Sequence, residues 1–206
     1  MKKKKINFKK LIIIILIIMV VGLSIFLIKS CMMSKEEKVK DHEIISKIND
    51  YELRESASTY FKNVFNDLKK ELNKDEIDEE NYAKIISKLF ISDCYTLDNK
   101  INQSDVGGIQ FVYEPFRNDF LMIAKDTMYH HIENNIYDNR KQKLPVVSNV
   151  VITSIEQDKF EYLDKVDENA YYVDVEIEYV KDLGYAKKAS LVLIHNNDKL
   201  EVAKLN

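Results

Sequence analysis

The sequence predicts an α+β protein in which an N-terminal transmembrane helix precedes three helices packed on one face of a four-stranded antiparallel meander. Residues 11–28 form a run of eighteen residues without a charge. Between residues 53 and 136, apolar residues recur at steps of three and four, as on one face of a helix. After Pro145, apolar and polar residues alternate, which is the period of a half-buried strand. These three observations together predict the fold class.

The start of the chain predicts a membrane anchor. Residues 1–10 contain six lysines and no acid, which predicts a cytoplasmic tail. As a helix rising about 1.5 Å per residue, the uncharged run spans about 27 Å, close to the thickness of the hydrocarbon core. We therefore assign residues 11–29 to a single transmembrane helix in the cell membrane. The chain beyond it is expected to be extracellular.

Cys31, shortly after the span, leaves an alternative mode of anchoring. Bacterial lipoproteins are cleaved before a cysteine that becomes lipidated, and Ser30 suits the position before it. Lys29 does not suit that pattern, and the apolar run is longer than the corresponding region of a cleaved signal peptide. An uncleaved helix and a lipid on Cys31 both attach the domain to the outer face of the membrane.

The charge and the cysteine content limit which classes of partner and which kinds of fold are expected for the exported part. Seven of the 31 basic residues lie before residue 30, so 24 remain against 34 acidic residues, a formal charge of −10. An acidic domain is a poor partner for nucleic acid, which is bound by clustered Lys and Arg. Two cysteines exclude a disulfide framework, and Cys94 is predicted to be a small buried hydrophobe. The abundance of Lys, Asn and Ile indicates a bacterial source.

Three helices are predicted within the domain at residues 51–206, after a helical or flexible linker at residues 30–50. The first carries an apolar stripe from Leu53 to Leu72. Asp78 is a suitable N-cap for the second, and Pro115 lies in the first turn of the third, where its missing N–H is not needed. The four-residue apolar period continues to Ile136, which predicts that the third helix reaches that residue.

The four predicted strands cover residues 146–156, 170–180, 185–195 and 200–205. They lie too close in sequence for crossover helices, so they must pair antiparallel. In the second strand, two sets of side chains alternate. The apolar set is expected to face the helices and the acidic set to face water: Tyr171, Val173, Val175, Ile177 and Tyr179 against Asp174, Glu176 and Glu178.

This order of elements over residues 50–206 resembles the cone-shaped fold of nuclear transport factor 2-like domains. In that fold, N-terminal helices pack into a curved antiparallel sheet. With a short cytoplasmic tail and one membrane span, the chain is similar to assembly subunits of conjugation and type IV secretion machines. The resemblance implies a cavity between helices and sheet. It implies no particular site residue, because it is one of element order and not of motif.

The only Gly pair of the chain lies in a predicted loop between two helices. Phosphate-binding loops follow a strand and space their glycines as GxxxxGK[ST] or GxGxxG, whereas Gly107 and Gly108 are adjacent and follow a helix. Asp105 is suited to capping there, and the regularly spaced ligands of a calcium loop are missing. We interpret Asp105, Gly107 and Gly108 as a connection in which backbone conformation matters, with a ligand-lining loop as the alternative.

Two other groups of residues are candidates for a site. Asp126, His130 and Glu133 share one face of the predicted third helix and form a weak metal site candidate without HExxH spacing. Four tyrosines are candidates for lining a cavity: Tyr95, Tyr113, Tyr129 and Tyr171. No cofactor, metal or catalytic residue is predicted, and GxSxG and SxxK do not occur in the sequence.

Two functions remain open at this stage. The first is a protein-interaction or scaffold module that binds other envelope proteins or further copies of itself within a secretion or conjugation apparatus. The second is a small-molecule-binding or enzymatic domain with a cavity between helices and sheet. The residues that face such a cavity distinguish the two functions, because an enzyme places an acid, a base or a nucleophile inside it.

Overall fold

The computed structural model describes residues 43–206. The predicted cytoplasmic tail, the transmembrane helix, Cys31 and the first part of the predicted linker lie outside the described residues. Within residues 43–206, no helix is both long enough and apolar enough to cross a membrane.

The described chain begins with a hairpin where a linker is predicted from the sequence. β1 (Ile44–Ile48) and β2 (Tyr51–Arg54) pair antiparallel around a turn in which Asn49 adopts a φ of 49°. Residues 44–48 are therefore a strand, and Leu53 lies on β2 and not in the first helix. Tyr51 and Leu53 are buried, which places one face of β2 on the core.

Two long helices follow, each with a side-chain N-cap. In α1 (Thr59–Leu72), the backbone N–H of Phe61 donates to Ser58 Oγ at 3.1 Å. In α2 (Glu79–Tyr95), the predicted cap is confirmed, because the N–H of Asn81 donates to Asp78 Oδ1 at 3.0 Å. α1 buries one stripe, whereas α2 is buried around most of its circumference and forms the centre of the core.

A buried carboxylate joins α1 to α2. The Glu71 side chain is 2% exposed and accepts hydrogen bonds from Lys74 Nζ, from the backbone N–H of Asp78 and from the Asn81 side-chain amide. Burial alone raises the pKa of Glu71, but these hydrogen bonds, led by the one from Lys74, outweigh it and lower that pKa. The ionised carboxylate therefore stabilises the turn between the two helices.

The third helix is shorter than predicted. Two 3₁₀ turns, Ile109–Phe111 and Glu114–Phe116, lead into α3 (Arg117–Asp126), and Thr127 leaves helical geometry with a ψ of −99°. The prediction that this helix reaches Ile136 is therefore wrong. Ile132 is buried although it lies outside the helix, because the chain after α3 folds back in turns over a second apolar cluster: Leu97, Val106, Ala124, Tyr129, Ile132 and Leu144.

The four-stranded antiparallel meander is confirmed. β3 (Val147–Tyr162), β4 (Lys165–Tyr179), β5 (Lys188–Asn196) and β6 (Lys199–Leu205) pair in chain order. The first two strands extend beyond their predicted ends to a turn at Leu163, which has a φ of 50°. Three irregularities interrupt the pairing of β3 with β4, and such bulges bend a strand.

The predicted faces of β4 are confirmed as well. Its apolar set is buried in the main core, apart from the half-buried Tyr179, and its three carboxylates are exposed. Lys188 Nζ lies 3.3 Å from Glu176 on the neighbouring strand, and Ser190 donates to Asp174. The opposite face of the sheet is not acidic throughout. It carries a small apolar cluster near the β3–β4 turn: Tyr113, Tyr162, Ala170, Val192 and Ile194.

Candidate functional site

An open apolar cleft lies between α3, the end of α2 and the end of β6. Its volume is about 410 Å³, within the range of ligand-binding pockets. α3 and the residues on either side of it form one wall: Phe116, Asp119, Phe120, Ile123, Ala124, Thr127 and Met128. The other wall consists of the end of α2, Val112 and the end of β6: Cys94, Tyr95, Val112, Val202, Ala203, Lys204 and Leu205. Apolar side chains predominate in both walls.

The cleft exists because α3 stands away from the sheet. Residues 109–113 run along the edge of β6, where the backbone N–H of Tyr113 donates to Val202 C=O at 3.0 Å and Val112 forms a parallel bridge with Val202. Pro115 lies in the turn that follows, which leads into α3. Helix α3 therefore lies beside the last residues of β6 without pairing with them.

Two titratable groups in the walls, Cys94 and Tyr95, are neutral near pH 7. Burial raises the pKa of the Cys94 thiol to about 12 and that of the Tyr95 phenol to about 12. Asp119 and Lys204 are the two charged residues that line the cleft, and neither forms an ion pair within the part of the chain that the structure describes. The site is thus apolar with one carboxylate and one ammonium group.

Ile123 marks the open side of the cleft. It lines the cleft and is 58% exposed, while its neighbour Met122 is 59% exposed and does not line it. Two large apolar side chains at successive positions of a surface helix are expensive to leave in water. Ile123 continues the apolar surface of the cleft to its rim, whereas Met122 lies outside the cleft.

Of the four tyrosines predicted to line a cavity, the structure places Tyr95 in this cleft. Tyr113 lies on the opposite face of the sheet, where Lys165 Nζ is 3.2 Å from its hydroxyl. Tyr171 belongs to the main core beside His195. Tyr129 is fully buried, and its hydroxyl donates to Cys94 C=O at 2.6 Å. The structure does not bring the four tyrosines together.

The Gly107-Gly108 loop is held by buried polar contacts. The N–H of Gly107 donates to Tyr129 Oη at 3.0 Å, and the N–H of Gly108 donates to Asp93 Oδ2 at 2.7 Å. The other oxygen of Asp93 accepts from Lys100 Nζ at 2.6 Å, and Lys100 is 4% exposed. Gly108 has a φ of 80°, which favours glycine.

Asp105 belongs to the same arrangement. Its Oδ2 accepts the backbone N–H of Ile101 at 2.9 Å, and its Oδ1 lies 3.7 Å from an Arg54 nitrogen on β2. Asp105, Gly107 and Gly108 thus make contacts within the domain that order the loop.

The weak metal candidate loses its geometric basis. α3 ends at Asp126, so Asp126, His130 and Glu133 do not share a helix face. The rings of His130 and His131 contact each other with centroids 4.7 Å apart. Within residues 43–206, no group of three or more His, Cys, Asp or Glu side chains is arranged to hold a metal ion.

The cleft residues do not stand out as a site in the sequence. Their spacing assigns Phe116, Phe120 and Met128 to an apolar helix stripe, with Ile123 as a residue that widens it. The width of this stripe is the one feature of the sequence that points to an additional apolar surface, because a helix packed on one surface needs a narrower stripe. Comparison with protein-family models, with curated proteins and with solved structures finds no significant match to this chain.

Proposed function

We propose that the protein is a single-pass membrane protein whose extracytoplasmic domain is a protein-interaction module. The cleft beside α3 is the docking site for an apolar segment of another envelope protein. The single observation that carries this proposal is the open apolar cleft with the exposed Ile123 on its rim. Exposed apolar surface next to a concavity is typical of sites where proteins bind one another.

The chemistry of the cleft favours binding over catalysis. A thiol acts as a nucleophile as its thiolate, and the raised pKa of Cys94 keeps it protonated at neutral pH. A general acid or base needs a pKa near the working pH, whereas that of Tyr95 is about 12. Asp119, the carboxylate in the walls, is exposed to water and is not enclosed by the apolar residues. The walls therefore offer mainly apolar contacts, which contribute affinity.

The domain is proposed to be nuclear transport factor 2-like, with a role in the assembly of a secretion or conjugation apparatus. Support comes from the order of elements after the β1–β2 hairpin, which is three helices followed by a four-stranded antiparallel meander. The cleft lies between helices and sheet, as the resemblance implies. The lysine-rich start and the uncharged run support the proposed anchoring and orientation.

Adjacent residues on α3 provide a matched test. A photo-reactive amino acid at position 123 of the full chain in its membrane is expected to cross-link to a partner protein, while the same residue at position 122 gives little adduct. Thr127→Trp fills the cleft from an exposed position, so it should remove the adduct formed at position 123. Equal adducts at 122 and 123, or an adduct that survives Thr127→Trp, would contradict docking in the cleft.

A small apolar molecule is the second candidate, favoured by the volume of about 410 Å³. This candidate predicts that the purified chain carries a ligand that dissociates on unfolding. Native mass spectrometry of the wild type and of Thr127→Trp checks this. A bound mass that is present in the wild type and absent from the variant favours the small molecule over the protein partner.

A further inference from the structure

The last residues of β6 present unpaired backbone groups to the cleft. Ser190 and Asn206 exchange both of their backbone hydrogen bonds, at 3.1 and 2.9 Å. In an antiparallel ladder, such a pair alternates with a pair that makes no hydrogen bonds to each other. Leu191 and Leu205 form that next pair. The N–H and C=O of Leu205 therefore point away from β5, toward the open edge of the sheet.

That edge is covered at one point and open at the next. At Val202 the chain itself supplies a partner, because Tyr113 N–H donates to Val202 C=O. Beyond Val202 the covering segment turns away into α3. Outside the strand ladders, no residue in the range 43–206 forms a backbone hydrogen bond with Leu205, and within the ladder its N–H and C=O face away from β5. Leu205 also lines the cleft, so a free donor and a free acceptor lie beside its apolar walls.

We propose that the cleft binds an extended peptide segment of the partner, which adds to the edge of β6 by pairing with Leu205. This inference rests on the proposed function and names its mode of recognition. Strand addition combines backbone hydrogen bonds with pockets for alternate side chains, and both components are present here. Residues 109–113 already lie along the edge of β6 at Val202. The bound segment would lie along the same edge, beside the residues that follow Val202.

The unpaired backbone also argues against other occupants. An acyl chain or the apolar face of a helix would cover the Leu205 N–H and C=O without bonding them, and burying an unbonded polar group costs free energy. An extended peptide bonds both groups while its apolar side chains enter the cleft. Asp119 on one wall and Lys204 on the other are left to pair with charged residues of either sign beside the apolar ones.

The probe is a phage-displayed pool of random 12-residue peptides, selected on the full chain in nanodiscs with Ile123→Asp as the counter-selection target. Strand addition predicts enriched peptides with apolar residues at every second position. A peptide with apolar residues at steps of three and four would indicate a bound helix and overturn strand addition, although docking in the cleft would stand. Failure to enrich any peptide on the wild type would also overturn strand addition, while the cross-linking at position 123 decides the proposed function separately.

A pair of variants at one residue isolates the backbone. Leu205→Ala and Leu205→Pro both shorten the side chain, and Leu205→Pro also removes an N–H that the fold does not use. With a fluorescein-labelled selected peptide, Leu205→Pro should raise the Kd about tenfold above that of Leu205→Ala. Equal Kd values in the two variants would overturn the proposal.

A second measurement leaves the protein unchanged. N-methylation of the selected peptide, one residue at a time, removes single backbone donors. The proposal predicts that binding is lost at the one residue that donates to Leu205 C=O and is retained at the residues on either side. Equal tolerance at every position would overturn strand pairing even where Leu205→Pro fails to fold.

Discussion

Gly107→Ala should destabilise the domain more than the same substitution at the other glycines of residues 43–206. A Cβ at position 107 would lie 2.2 Å from the backbone oxygen of Asp93 and 2.6 Å from Lys100 Nζ. Asp93 is part of α2, which is buried on most sides, so its backbone cannot move away. The added methyl must therefore displace the loop.

The loss in free energy of unfolding is the sum of the overpacking and of the hydrogen bonds that the displaced loop no longer forms. Overpacking by a methyl group costs about 1–3 kcal/mol. The hydrogen bond from Gly107 to Tyr129 contributes about 1 kcal/mol. The bond from Gly108 to Asp93 contributes more than about 1 kcal/mol, because its acceptor is a charged carboxylate. We expect Gly107→Ala to lower the free energy of unfolding by at least about 3 kcal/mol, which corresponds to a decrease in Tm of roughly 6–12 °C.

Two other glycines provide controls that separate sterics from backbone strain. Gly184 has a φ of 81°, and a Cβ added there would have no atom within 4 Å, so Gly184→Ala costs only strain, about 1–2 kcal/mol. Gly108 combines a φ of 80° with contacts to the Phe90 ring at 3.0 Å, which places Gly108→Ala between the two. Urea unfolding followed by far-UV circular dichroism measures all three. A smaller loss for Gly107→Ala than for Gly184→Ala would refute this reasoning.

Three further predictions concern single side chains. Glu71→Gln should cost about 1–3 kcal/mol at pH 7, against less than about 0.5 kcal/mol for the exposed Glu80→Gln. Because the folded pKa of Glu71 is lowered, its stabilisation is present above the unfolded pKa of about 4.5 and is lost as the pH falls through the folded pKa. Urea midpoints between pH 7 and pH 3 should therefore fall less steeply for Glu71→Gln, and parallel curves would contradict this. Glu176→Gln, on the solvated face, should change stability by less than about 0.5 kcal/mol in the same assay, and a loss above about 1 kcal/mol would refute the exposed face. In a Cys31→Ser background, Cys94 should resist a thiol reagent at pH 8 until urea unfolds the chain, and rapid labelling of the folded chain would contradict its burial.

The sheet was predictable because its pattern has one physical solution. A one-residue slip of β4 would bury Asp174, Glu176 and Glu178 in place of the apolar set, so the period of two determines which side faces the helices. The ends of β3 and β4 were not predictable in the same way. Residues 157–169 are mostly polar and charged, so no alternation indicates that they continue the hairpin.

The spacing of apolar residues gives a wrong prediction where it is compatible with both a helix and another structure. Ile44, Ile45 and Ile48 fit one helix face, yet they lie on a short strand. The alternation of Tyr51 and Leu53 and the Asn49-Asp50 pair were the signals for a hairpin. Beyond Asp126, Ile132 keeps the helical period but is buried by turns, and spacing alone does not distinguish these outcomes.

The cleft could not be derived from the sequence, because it depends on how closely α3 packs against the ends of α2 and β6. The same apolar residues line a core when a helix packs closely and line a cleft when it stands away. The two glycines, in contrast, were predicted to lie in a loop; Gly108 there has a φ of 80°, whereas Gly107 lies where Asp93 leaves no room for a Cβ. Their adjacency after a helix excluded the known phosphate loops.

The chain order of the sheet has a consequence for how the protein is made. All four strands of the meander come from residues 147–205, and each strand pairs with the next, so the sheet closes only short loops as it forms. α1 and α2 are synthesised earlier, and they bury their apolar faces against that sheet. A nascent chain that ends before residue 147 therefore exposes the apolar surface of α2 to the surrounding solution. Until the last strands are present to cover it, that surface is prone to aggregation.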